Sequence, residues 1–214
     1  MRTGWAPNIM QQTMIRAQTK LEFAWGLAAR MCETINAVQP PNAQMLGEIW
    51  TYAEIARSCV LTAEDNAHEF GNGVWFPEGG PLVALRASLP QWFPRVNEII
   101  RLLGSHNLFA APTAAQFADP TLRPLIDQYL RGAGDVAAEE RARIFRLAWD
   151  FAGSALASRG EQYERFYLAS GARNQQMAHM FAPRDRADRL VDRFLKEGGP
   201  ASQPAAAPRV PETV

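Results

Sequence analysis

Cysteine and histidine are nearly absent: two cysteines and three histidines stand among 214 residues. Cys32 and Cys59 cannot make a disulfide framework. Neither has a second ligand at zinc-site spacing, so both are expected as small apolar packers inside helices. An excess of charge of either sign is also missing, with 22 Lys and Arg against 22 Asp and Glu. Proteins that hold nucleic acid through its phosphates carry a large basic excess, so that class is set aside. No apolar run reaches the roughly 18 residues needed to span a bilayer. Met1 to Pro7 carry one arginine with no apolar segment behind it, so no secretory signal is expected, and the implied location is cytoplasmic. With 47% hydrophobic residues the chain is too apolar to stay unfolded, and its length allows a substantial core.

Alternation with a period of two is lacking as well, and no Asn-Gly turn joins two β-branched runs. What is present is helical period. Met10, Met14, Ala17, Leu21, Ala24, Ala28, Met31 and Ile35 follow steps of four and three, which predicts a helix from Asn8 to about Ala37. Pro40 and Pro41 stop it. Met45, Ile49, Tyr52, Ala56, Cys59, Ala63 and Ala67 line a second helix, ending near Phe70 and Gly71. The short link makes the two antiparallel neighbours. Residues 71–81 are rich in glycine and proline and read as a loop anchored by Trp75 and Phe76. A third helix is expected from Leu82 to Leu103, kinked by Pro90 and Pro94 and ended by Gly104. Thr113 and Asp119-Pro120 should cap two short helices, the second reaching Leu130. Behind the capping Asp135, a long helix should run from Val136 to Ala169, with Phe145, Ala148, Ala152 and Ala155 along one side. Shorter helices are expected over 172–181 and 184–196. The predicted fold is all-α: an antiparallel four-helix bundle with short extra helices, over residues 1–197. Residues 198–214 form a Pro/Ala tail read as disordered.

Familiar chemistry is mostly wanting. Carboxylate-bridged iron needs Glu-x-x-His on two helices, but Asp65, Leu103 and Gln176 precede His68, His106 and His179 by three. No phosphate loop, Rossmann glycine fingerprint or Gly-x-Ser-x-Gly elbow is found. His68 is read as a surface or capping residue of the second helix. Arg184 to Arg189 read as a solvated helix face with near-neighbour pairs, phosphate capture being the other reading. The segment Gly153 to Gly160 is unusual: two small hydroxyl residues, alanines and a glycine beside Arg159. A flat or phosphorylated ligand could come close to the backbone there, with the arginine offering a forked donor. Equally, small residues allow a close helix crossing, with Arg159 paired to a neighbouring carboxylate.

The stretch Arg141 to Tyr167, RARIFRLAWDFAGSALASRGEQYERFY, resembles the C-terminal signature of the 4-hydroxyphenylacetate 3-hydroxylase family: "RLFRLAWD", then "GS-x-x-G-S/G-R", then "LYERFY". TMIRAQTKLEFAWGLAARMCE resembles that family's first C-terminal helix. PEGGPLVALRASLPQWFPRVNEIIRLLGSHNLFAAPT and DPTLRPLIDQYLRGAG are similar to the middle of the same region. The resemblance covers about residues 3 to 183. It implies a helical bundle like the C-terminal domain of the acyl-CoA dehydrogenases. It also implies FAD, supplied reduced by a separate flavin reductase, and oxygen-dependent hydroxylation of a 4-hydroxyphenylacetate- or phenol-type substrate. Homo-oligomers, as a dimer of dimers, are implied too. By position, Ser154, Ala157, Ser158 and Arg159 would touch the flavin, with Arg16 a looser candidate for its phosphates. Ala157 stands where the family has glycine, Gly160 where it has histidine or glutamine, and Gln162 where it has leucine. Members are about twice as long, and the preceding half reads the phenol, so this chain is expected to lack it and not to hydroxylate alone. An assembly module without flavin is the alternative, and an acyl-CoA dehydrogenase relative fits less well.

Overall fold

The computed structural model describes residues 5–167 and 169–197. Helix α1 (Trp5–Thr34) carries the first stripe, and Met14, Ala17, Leu21, Ala24, Ala28 and Met31 on it are buried. It ends three residues before the expected Ala37, because Asn36 takes a left-handed φ of 53°. The Asn36 N–H then reaches the Glu33 carbonyl and the Ala37 N–H the Cys32 carbonyl, a paired closure that satisfies the helix's last acceptors. Helix α2 (Pro40–Asp65) opens on its two prolines, where a missing N–H is harmless. Ile49, Ala53, Ala56, Val60 and Ala63 form its buried face.

The expected loop at 71–81 and the end of the second helix both need correction. α2 stops at Asp65, and the chain forms an antiparallel hairpin, β1 (His68–Gly71) with β2 (Val74–Phe76). Asn72 and Gly73 make its turn with φ of 54° and 74°. Two successive positive φ values suit the twist of paired strands, and the Gly73 N–H donates to Glu69 Oε1 at 2.9 Å. His68 is therefore a strand residue, not part of the helix. Phe76 is the anchor, buried edge-on against Phe70. Trp75 is not, being 62% exposed.

Helix α3 (Gly79–Gly104) is continuous through Pro90 and Pro94 and buries Leu82, Leu85, Leu89, Phe93, Val96, Ile100 and Leu103, the whole expected stripe. Short helices α4 (Asn107–Ala110), α5 (Ala114–Ala118) and α6 (Arg123–Tyr129) follow. Thr113 caps α5 with a reciprocal bond to Gln116, whereas Asp119 Oδ1 accepts from Thr121 and Leu122 in the turn before α6. The expected long helix is two: α7 (Ala138–Ala152) and α8 (Ala155–Phe166), parted at Gly153 and Ser154. Ala137, not Asp135, is the residue at the start of α7. Phe145, Ala148 and Ala152 are buried as expected, but Ala155 lies beyond the break and is exposed.

Helices α1, α2, α3 and the α7–α8 pair are the four members of the bundle. α1 packs on α2, α3 and α7, and α3 packs on both α7 and α8. One apolar core fills the space between them, with Phe93, Phe145, Met14, Leu21 and Ile49 among its fully enclosed side chains. Helices α9 (Gly171–Phe181) and α10 (Asp185–Glu197) complete the described residues, which divide after Met180 into two compact units. On α10, Arg184 at the preceding turn pairs with Asp188 at 3.1 Å, the near-neighbour contact expected there. The expected tail, 198–214, lies outside the described residues.

Candidate functional site

The small-residue segment is the break between α7 and α8. Gly153 is required there by contact: a Cβ would run into the Trp149 ring. Gly153 and Ser154 both turn their N–H groups onto the Trp149 carbonyl, at 2.7 and 2.9 Å. Ser154 is the N-cap of α8, its Oγ accepting from the Ala157 N–H at 3.1 Å and donating to the Asp150 carbonyl at 3.2 Å. A helix start leaves its first N–H groups without intrahelical acceptors and carries partial positive charge. Those of Ala155 and Leu156 occupy that position here.

Ala157, Ser158 and Arg159 form the first turns of α8 and do different things. Ala157 is only 5% exposed, so its methyl is enclosed by the protein. Its departure from the family's glycine therefore places no carbon on the outer face. Ser158 is exposed and borders an open cleft with Arg101, Ser105, Phe109, Trp149 and Gly153. Arg159 is exposed and has no hydrogen bond or ion pair among the described residues, so the carboxylate pairing allowed by the sequence does not form.

Arg16 lies in a different cleft, shared with Thr13, Glu164 and Asn174. Its fork meets Glu164 in two bonds, Nη1 to Oε1 at 2.6 Å and Nη2 to Oε2 at 2.9 Å. Lys20 Nζ reaches the same Oε1 at 3.1 Å. The Glu164 side chain is 3% exposed, and Arg16 also lies over the Tyr163 ring, 5.1 Å from its centre. Burial works against the Arg16 charge, but the Glu164 carboxylate outweighs it and the guanidinium is held above its ordinary value. The structure thus gathers Ser154, Ala157, Ser158 and Arg159 at one break and leaves Arg16 engaged elsewhere. Sequence reasoning passed over Glu164, Lys20, Arg101 and Trp149. All four fall inside the matched blocks, but nothing local marks them as partners.

The thiols of Cys32 and Cys59 are both pushed up by burial, which disfavours the reactive thiolate. No cluster of three or more metal-ligating side chains occurs among the described residues. Nor is any described helix long and apolar enough to cross a membrane.

The structure defines the chain as an all-α domain built on a four-membered helical bundle, with a capped break between α7 and α8. The chain belongs to the family described as the C terminal of 4-hydroxyphenylacetate 3-hydroxylase (HpaB), whose model matches residues 1–196. It is 33% identical, over 91% of its length and 40% of the relative's, to the 4-hydroxyphenylacetate 3-monooxygenase oxygenase component of Thermus thermophilus. A 4-nitrophenol 2-monooxygenase oxygenase component from a Rhodococcus species is 31% identical over 78% of this chain and 33% of that one. A crystal structure of the oxygenase component of 4-hydroxyphenylacetate 3-monooxygenase complexed with FAD matches with a TM-score of 0.86 at 32% identity, covering 91% of this chain and 41% of that one. An archaeal 4-hydroxybutyryl-CoA dehydratase, 14% identical with a TM-score of 0.71, shares the fold. The chain spans about 40% of the length of the first of these relatives.

Proposed function

We propose that this chain supplies one wall of a flavin site in a cytoplasmic, reduced-FAD-dependent aromatic monooxygenase acting on a 4-hydroxyphenylacetate- or phenol-type substrate. The observation that carries this reading is the α7–α8 break, where Ser154 caps α8 and the exposed Ser158 and Arg159 follow in its first turns, Arg159 with no bonded partner among the described residues. The residues present fit such a group. The start of α8 favours a phosphate or an electron-rich carbonyl, Arg159 offers a planar forked donor, and the Ala157 methyl is enclosed by the protein. The Ala157 backbone N–H is already given to Ser154, so that residue contributes shape. Arg16 contributes through Glu164, by holding α8 against α1.

When bound, the reduced flavin would supply the oxygen-activating chemistry, with the cofactor delivered by a separate reductase. This chain's share is to bind, to orient, and to keep water from one side of the ring. The part of the relatives that precedes the matched region would hold the phenol, so the chain by itself is expected to give no hydroxylated product with reduced FAD. The outer bundle surface would serve assembly into a homotetramer, as a dimer of dimers.

Titration of the purified chain with FAD, beside Arg159→Ala, tests the reading. Saturable binding that weakens about tenfold in the variant, a charged hydrogen bond lost, supports it. Equal binding by both proteins argues against the assigned face. A second reading, an assembly module without flavin, draws on the exposed Trp50, Ile55 and Leu61 along the outer side of α2. It expects no FAD binding and a stable oligomer.

A further inference from the structure

The segment from Ser154 to Arg159 keeps its direction only if the break keeps one shape, and the turn's own bonds leave one backbone acceptor unmet. The Ala152 carbonyl, left over at the end of α7, is taken from outside: Arg101 Nη1, near the end of α3, donates to it at 3.1 Å. The same guanidinium brings Nη2 to 3.7 Å from Glu161 Oε2 in the second turn of α8. Glu161 is steadied in turn by Asn97 Nδ2 at 3.1 Å and Arg165 Nη2 at 2.8 Å. Asn97 is 3% exposed, so the carboxylate is tied to the bundle interior. One side chain therefore grips the last carbonyl before the break and a carboxylate beyond it. It also borders the cleft that Ser158, Gly153 and Trp149 line.

We propose that Arg101 is a positioning residue: by clamping α7 to α8 across the break, it sets the direction in which Ser154, Ser158 and Arg159 meet the flavin. This rests on the flavin reading given above. A planar guanidinium suits the task because its two terminal nitrogens point at separate acceptors while the plane keeps their spacing. A lysine ammonium can reach one acceptor well and the other only by swinging. Trp149 braces the same turn, its ring filling the space that a side chain on residue 153 would need.

Amide hydrogen exchange, thermal melting and FAD titration are compared for the full chain, Arg101→Met and Arg101→Lys. Methionine keeps an unbranched apolar stem and removes the donors. The expectation for Arg101→Met is about tenfold faster exchange at Gly153–Ser158 with α1 and α2 unchanged, and an FAD dissociation constant raised about tenfold, each the size of one charged hydrogen bond. Arg101→Lys should recover part of both. Unchanged exchange at the break overturns the proposal. Faster exchange everywhere with a lower melting temperature overturns it too, since that marks a general stabilising role. Local loosening with unaltered FAD affinity shows that the clamp does not position the face, and is equally fatal. Local loosening in a parent chain that never binds FAD keeps the clamp and removes the flavin reading, so the two failures are distinct.

Discussion

Gly153 carries the tightest constraint of any single position at the break. Its lack of a side chain lets the Trp149 ring lie over the backbone, and a methyl there would overlap the indole. Relieving that overlap means moving either the ring, which borders the cleft, or the turn, which presents Ser154. Gly153→Ala is expected to lower stability by about 1–3 kcal/mol, the usual cost of overpacking. Its tryptophan emission should also shift, read by denaturant melts and fluorescence; an unmoved spectrum at unchanged stability would contradict the contact. Ala157, by contrast, shows how a residue's face decides its meaning. The sequence marks it as a departure from the family's glycine, and burial encloses the extra methyl within the protein.

Among the elements, the α1–α8 junction is the most exacting, because one buried carboxylate serves two cations. Glu164 accepts from Arg16 and Lys20, and Lys20 also lies 5.1 Å from the Phe93 ring centre, which ties the pair to the core. Removing its charge leaves two cations facing a neutral side chain beside an apolar wall. Glu164→Gln should therefore destabilise by roughly 2–3 kcal/mol, less than a fully buried pair because Arg16 keeps some access to water. Thermal melts measure it, and a loss no larger than that of an exposed pair would show the junction to be peripheral. The hairpin teaches the opposite lesson about legibility. Asn72-Gly73 is a strong turn signal, yet its flanks His68–Gly71 and Val74–Phe76 hold one β-branched residue, Val74. Short strands whose only firm anchor is Phe76 leave no alternating pattern to read.

For the molecule as a whole, acid is the informative variable. Arg95 holds the Glu48 carboxylate in bonds of 2.8 and 2.9 Å between α3 and α2, which sets it below the ordinary carboxyl value, with Tyr52 adding a bond of 2.8 Å. Burial pushes Glu161 up, but Asn97 and Arg165 more than offset it and the net shift is downward. Groups depressed in the folded state stabilise above their ordinary value, 4.5, and lose that contribution as pH falls through the folded value. The melting temperature should hold from neutrality to about pH 5 and then decline. Arg95→Ala should lie lower at neutrality and converge with the parent in acid, and parallel curves would refute the assignment. Burial and the Glu48 bond push Tyr52 up to about 12, so stability gained from its neutral form fades as pH rises from its ordinary 10 toward that value.

The amino-acid sequence by itself determined the all-α class, the core stripes of α1, α2 and α3, and the place of the small-residue segment. Each is a local property: a helix face repeats every three to four residues, so burial leaves a trace within a short window. Family likeness added an expectation of what that segment is for. Only the tertiary structure decided that the chain breaks at Gly153 and Ser154, that Arg159 has no bonded partner among the described residues while Arg16 has Glu164, and that Arg101 spans the break. Arg16 and Glu164 are 148 residues apart, and Arg101 and Ala152 are 51 apart. Such pairs depend on how helices cross, and crossing geometry is set by side chains from several elements meeting at once. No single stretch of sequence carries that information.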